Sequence, residues 1–183
     1  MASQTFSVRI GTSITGSARR RSARQTATDG PVPRNGHHGA VGVSTVSRVT
    51  LSPELAAPQL TDADVHERVD VLIGPAVQDR CLWLVLVDGD RKQAPVVMPV
   101  EDSPPQPDAE MVDGLQTVLA GFVEELATDA GPGSCVFVWE RLGARLRDGD
   151  ELWSEALAGA ARGAGLACLG VFVSTPVGIR RTR

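Results

Sequence analysis

Glu140 and Arg141 close an unbroken apolar run, and Asp148 and Asp150 follow where an amphipathic segment begins. Two carboxylates, Glu140 and Asp150, could hold a divalent ion for hydrolysis. The same residues also serve plainer ends. Arg141 with a carboxylate makes a surface pair worth at most ~1 kcal/mol, and an aspartate opening a helix satisfies backbone N–H groups that lack partners. Ligands of open α/β sheets collect at the carboxyl ends of central strands. Glu140, Arg141, Asp148 and Asp150 are therefore the candidate binding surface.

Other chemistry-bearing residues point elsewhere. Asp88-Gly-Asp90 has the spacing of a two-carboxylate cation motif, but turn chemistry accounts for it. His37-His38 lies in a Gly-rich stretch with nothing to hold further ligands, and His66 falls off the apolar side of its segment, facing solvent. Cys81, Cys135 and Cys168 each sit inside an apolar run without a Cys-x-x-Cys spacing. They read as free buried thiols of a cytoplasmic protein rather than a metal centre. Gly131-Pro-Gly133 precedes a strand and Gly163-Ala-Gly165 ends a helix, whereas a phosphate-cradling loop follows a strand and opens a helix. No Gly-x-Ser-x-Gly elbow and no His-Glu-x-x-His occurs. No cofactor or catalytic residue is implied, and an enzyme is the less favoured reading.

The chain has 183 residues, enough for one domain with a real core. Aromatics make up only 4% and Tyr is absent, so packing relies on Val, Leu and Ala, with Trp83, Trp139 and Trp153 as the large fillers. Lys92 is the sole lysine. Seven arginines precede Leu51 against Asp29 alone, while eleven basic and 21 acidic residues follow. An acidic body repels a phosphate backbone, which leaves the arginine-rich segment as the one route to nucleic acid. No apolar run approaches the ~18 residues needed to span a bilayer, so no membrane partner is expected.

The elements that must position the candidate residues are legible in the hydrophobic pattern. Ser134 to Trp139 and Leu166 to Val173 are continuous apolar runs, the mark of strands covered on both faces. Between them Leu152, Trp153, Ala156, Leu157, Ala160, Ala161 and Ala164 recur at three- and four-residue spacing, which predicts a helix stopped by Gly163 or Gly165. Strand, helix and strand together predict a right-handed parallel crossover. Upstream, Thr61 caps a first helix ended by Gly74-Pro75. Cys81 to Val87 and Ala94 to Val100 make a hairpin across Asp88 to Arg91, with Pro95 and Pro99 of one parity on an edge strand. Asp108 to Thr128 predicts the longest helix, in which Gly114 and Gly121 would allow a close approach and Glu124, Glu125 and Asp129 would crowd an unfavourable C-terminal end. Gly178 to Arg183 reads as a short closing strand. Residues 1–50 carry too little apolar material to offset the cost of ordering and are expected as a disordered basic tail.

This layout, with a strand ending in a loop and an acidic residue opening the next helix, resembles the JAB/MPN metalloprotease-like superfamily, RadC-type proteins included, from about Thr61 onward. Active members bind zinc through His-x-His at the end of such a strand and a later Asp. If Asp150 holds the Asp position, the histidine positions fall on Phe137 and Trp139, so the resemblance implies a metal-free, inactive relative. The chain is also similar to a family of small uncharacterised actinobacterial proteins, through Leu82-Trp-Leu-Val-Leu-Val-Asp88, Met98-Pro-Val-Glu-Asp102 and Val136-Phe-Val-Trp-Glu-Arg141; that likeness implies no activity.

The sequence thus predicts a single α/β domain over residues 51–183: one mixed sheet with a hairpin, a parallel β-α-β crossover and about three packed helices. Functionally it predicts a non-enzymatic cytoplasmic binding or scaffold domain that meets a protein partner through an edge strand or the Glu140 to Asp150 loops. The alternatives are a metal-dependent hydrolase using Glu140 and Asp150, and a regulator contacting nucleic acid through the arginine-rich tail.

Overall fold

Strands that are apolar on both sides require cover on both sides, and the chain supplies it unequally. A computed structural model describes residues 47–48, 57–58, 61–145 and 147–183. The basic tail expected over 1–50, and the boundary at 51, lie outside those residues, apart from a two-residue strand, β1 (Ser47–Arg48). There follow α1 (Asp62–Leu72), β2 (Cys81–Val87), β3 (Gln93–Val100), α2 (Ala109–Ala120), α3 (Val123–Leu126), β4 (Ser134–Glu140), α4 (Asp148–Ala164), β5 (Ala167–Thr175) and β6 (Gly178–Arg181). The strands form one mixed sheet in the order β1-β3-β2-β4-β5-β6. The expected α/β class holds: β2 and β3 are an antiparallel hairpin, and β4 and β5 are parallel neighbours joined by α4.

Alternation along the strands sorts the core into two layers. Leu82, Leu84 and Leu86 of β2, Cys135, Phe137 and Trp139 of β4, and Val171 and Val173 of β5 face α2 and α4, with Trp153, Leu157 and Ala161 packed on them. Val85, Val136, Val138 and Phe172 face the other way, under Val65 and Val69 of α1. Side-chain parity at the end of β4 therefore decides which layer each candidate residue joins.

Helix ends follow local chemistry. Thr61 and Asp64 form a reciprocal capping box for α1, with bonds of 3.2 and 2.7 Å. Gly165 ends α4 in the left-handed conformation at φ 90°. The long helix expected over Asp108 to Thr128 is a correction. Helix α2 stops at Ala120, Gly121 and Phe122 turn the chain, and α3 is a single turn, so among the described residues α4 is the longest helix and the helices number four. Gly121 weakens helix propagation there, and the turn buries both Phe122 and Leu126. Glu124 and Glu125 thus open a new turn instead of crowding the end of a long helix. Gly114 has no atom within 4 Å of where a Cβ would stand; the close approach of α2 to α4 lies at Gly163, where a Cβ would fall 2.6 Å from Gln116 Oε1.

The hairpin turn confirms the structural role of Asp88, which accepts the Lys92 N–H at 2.8 Å while its own N–H bonds Lys92 O. Among the described residues the β3 edge is flanked by the short β1 alone, and β6 closes the opposite edge, where Thr182 and Arg183 continue to bond the backbone of Val171.

Candidate functional site

Glu140 is the last residue of β4 and shares the parity of Val136 and Val138, so its side chain belongs to the α1 layer of the sheet. It is 2% exposed, and a buried carboxylate must find donors. It accepts from the backbone N–H groups of Val77 and Gln78 at 2.7 and 3.1 Å, from Gln78 Nε2 at 3.3 Å and from Trp83 Nε1 at 2.7 Å. Both oxygens are occupied, and the loop between α1 and β2 is pinned to the end of β4. Burial first, and then the Glu140 charge, push the paired Cys81 thiol up to about 12.

Arg141 and Asp150 meet in the opposite layer. Arg141 Nε and Nη2 donate to the two carboxylate oxygens of Asp150 at 2.8 and 2.6 Å, a bidentate pair. The side chains are 4% and 3% exposed, which corrects the expectation of a surface pair. Nη1 and Nη2 each give one further hydrogen, to the carbonyls of Gly143 and Arg145 respectively, and Asp150 also accepts the Arg147 N–H at 2.8 Å, capping α4. One ion pair therefore organises the loop from Arg141 to Arg147. Gly143, at φ 123°, is where that loop must turn beside the two arginines, since a Cβ would lie 2.8 Å from Arg147 Nη2. Buried pairs of this kind gain little over a well-packed apolar substitute, but they cost several kcal/mol when one partner is removed.

The structure therefore brings Arg141 and Asp150 together and leaves Glu140 apart, on the other side of the sheet. Asp148 is exposed in the first turn of α4. A cleft of about 580 Å³ opens between these loops, lined by Asp79, Arg80, Pro105, Gln106, Trp139, Arg141, Arg147, Asp148, Gly149 and Asp150. Asp79 accepts the Leu142 N–H at 2.9 Å, and Arg80 holds φ 58° while its carbonyl accepts the Ser103 N–H. Because Arg141 and Asp150 neutralise each other, the cleft displays two positive rim residues, Arg80 and Arg147, beside two negative ones, Asp79 and Asp148. Its charge is mixed and close to balanced. Among the described residues no cluster of three His, Cys, Asp or Glu side chains could hold a metal ion.

Asp79, Arg80, Gln106 and Arg147 were not singled out by sequence. They come from three loops far apart in the chain, and none carries a spacing signal of its own. The same end of the sheet also exposes apolar side chains. Val77 is 88%, Val177 75% and Leu142 47% exposed. Their loops are tied together, since the N–H of Val77 bonds Glu140, that of Leu142 bonds Asp79, and that of Ala76 bonds Thr175 O at 3.0 Å. Ser174 Oγ adds a bond of 2.7 Å to Gly74 O.

No protein family, no curated protein and no solved structure matches this chain.

Proposed function

We propose that this domain is a non-enzymatic cytoplasmic binding module, and that its partner-facing surface is the end of the sheet where β4 and β5 finish. The observation that carries this reading is the saturation of the charged residues there. Glu140 is spent on the 77–78 backbone and Trp83, and Arg141 and Asp150 are spent on each other and on the 143–147 loop. Groups so engaged do not hold a proton or a metal ion poised for reaction without losing the bonds that shape the loops. What they leave is a fixed cleft of balanced charge beside exposed Val77, Leu142 and Val177. Apolar side chains standing on a rigid polar rim suit a protein surface better than a small charged metabolite. The reading keeps a metal-free relation to the JAB/MPN layout, in which Phe137 and Trp139, core residues against α4, would stand at the positions where zinc-binding members carry histidines. No described helix is long and apolar enough to cross a membrane.

A photo-crosslinking side chain placed at position 77 or 142 tests this directly, because the backbone bonds of those two residues stay in place when the side chain changes. In cells that naturally make the protein, both positions are expected to give one discrete adduct with a second protein. A crosslinker at Glu125, exposed on α3 toward the opposite end of β4, is expected to give none. No adduct at 77 and 142, or the same adducts at all three positions, would overturn the reading.

A further inference from the structure

At the other end of the crossover the sheet brings two cysteines into register. Cys135, the second residue of β4, is the direct partner of Cys168, the second residue of β5. Registered residues on adjacent strands stand about 4.8 Å apart on the same face, inside the roughly 4.4–6.8 Å Cα separation that a disulfide spans. The ladder shifts register immediately after this pair, which gives the local backbone room to adjust.

The two thiols differ in surroundings. Cys135 is fully buried, while Cys168 is half-buried and lines an open pocket of about 290 Å³ with Ala158, Arg162, Leu166, Ala167 and Arg183. This corrects the expectation that all three thiols are enclosed. Cys168 is held below the ordinary thiol range. The Cys135 thiol donates to it, outweighing desolvation, and the Gly170 backbone N–H and the charges of Arg183 and Arg181 act in the same direction. Cys135 is pushed well above that range, as the donor of that bond and then by burial.

We propose that Cys168 is an oxidation site for small hydroperoxides and that Cys135 is its resolving thiol. The Cys168 thiolate attacks one peroxide oxygen, so that an S–O bond forms, the O–O bond breaks and hydroxide or alkoxide leaves. The peroxide is reduced and the sulfur becomes a sulfenic acid. Cys135 Sγ then attacks that sulfur, an S–S bond forms, the S–O bond breaks, and the hydroxyl leaves with the thiol proton as water. The pocket admits the oxidant to one sulfur only, and the arginines favour the thiolate form. A cytosolic disulfide made this way is transient, reversed by cellular thiols.

The test uses the full, reduced chain and hydrogen peroxide. Peptide mapping is expected to show a Cys135–Cys168 crosslink with Cys81 still free, and Cys168 is expected to react at least ~100-fold faster than Cys81, whose thiolate is scarce. In Cys135→Ala a dimedone adduct is expected on Cys168, and in Cys168→Ser neither adduct nor crosslink. The map of the unsubstituted chain decides the matter even if a variant fails to fold. First modification at Cys81, or a sulfinic Cys168 formed without any crosslink, would overturn the proposal.

Discussion

Asp150→Ala is expected to lower the unfolding free energy by about 3–5 kcal/mol, because it leaves the Arg141 guanidinium buried without its bidentate partner. It also removes the acceptor for the Arg147 N–H at the start of α4. Urea unfolding followed by tryptophan fluorescence measures the loss, and an unchanged denaturant slope would assign it to the native state rather than to a more compact unfolded chain. The comparison that isolates the cause is Arg141→Met with Asp150→Leu. Removing both charges leaves no charge buried without a partner, while the Arg147 N–H and the Gly143 and Arg145 carbonyls still lose theirs, so the double variant is expected to recover part of the loss. A loss below ~1 kcal/mol for Asp150→Ala would mean that water reaches the pair and that it does not organise the loop.

Trp153→Ala is expected to cost a similar ~3–5 kcal/mol through a different mechanism, a cavity in the layer between the sheet and α4. Trp153 is 1% exposed and stacks on Trp139 with ring centroids 4.7 Å apart. Trp139 in turn lines the cleft, so the cavity would open beneath the proposed binding surface. Among the described residues the Trp153 indole N–H has no hydrogen-bond partner, so Trp153→Phe removes a buried donor that makes no bond to them and is expected to cost less than half as much. Thermal unfolding of the two variants checks the order. Equal losses would show that the indole N–H contributes more than the ring volume does.

The strands and the crossover were legible because each carries its own signal. Cys81–Val87 begins and ends with its apolar run, and the apolar stripe of Trp153, Leu157, Ala160 and Ala161 is the face that α4 buries. Thr61 and Gly165 mark their helix ends by capping chemistry that is local to a few residues. Asp108 to Thr128 misled because periodicity continues through Phe122 and Leu126 although the chain turns at Gly121 and Phe122, and the pattern reports a face without saying whether the axis bends. The candidate residues were identified but not their surroundings. Sequence places Arg141 near Asp150 and cannot say that a loop closes over them. Nor does it show that parity at the end of β4 sends Glu140 to one side of the sheet and Arg141 to the other. The cleft and the Cys135–Cys168 pair were illegible for the same reason: both are made by register between strands and loops that are distant in the chain.

The claim that the charges at the end of β4 are clamps is tested most directly by hydrogen exchange at the backbone amides of Val77 and Gln78. The Val77 side chain stands in solvent, and an unclamped loop of this kind would exchange at nearly the rate of an unfolded peptide. Held by Glu140 at 2.7 and 3.1 Å, both amides are expected to exchange at least ~100-fold more slowly than that, and to lose the protection in Glu140→Ala. Exchange at the unfolded rate in the unsubstituted protein would contradict the assignment and return Glu140 to the residues available for chemistry.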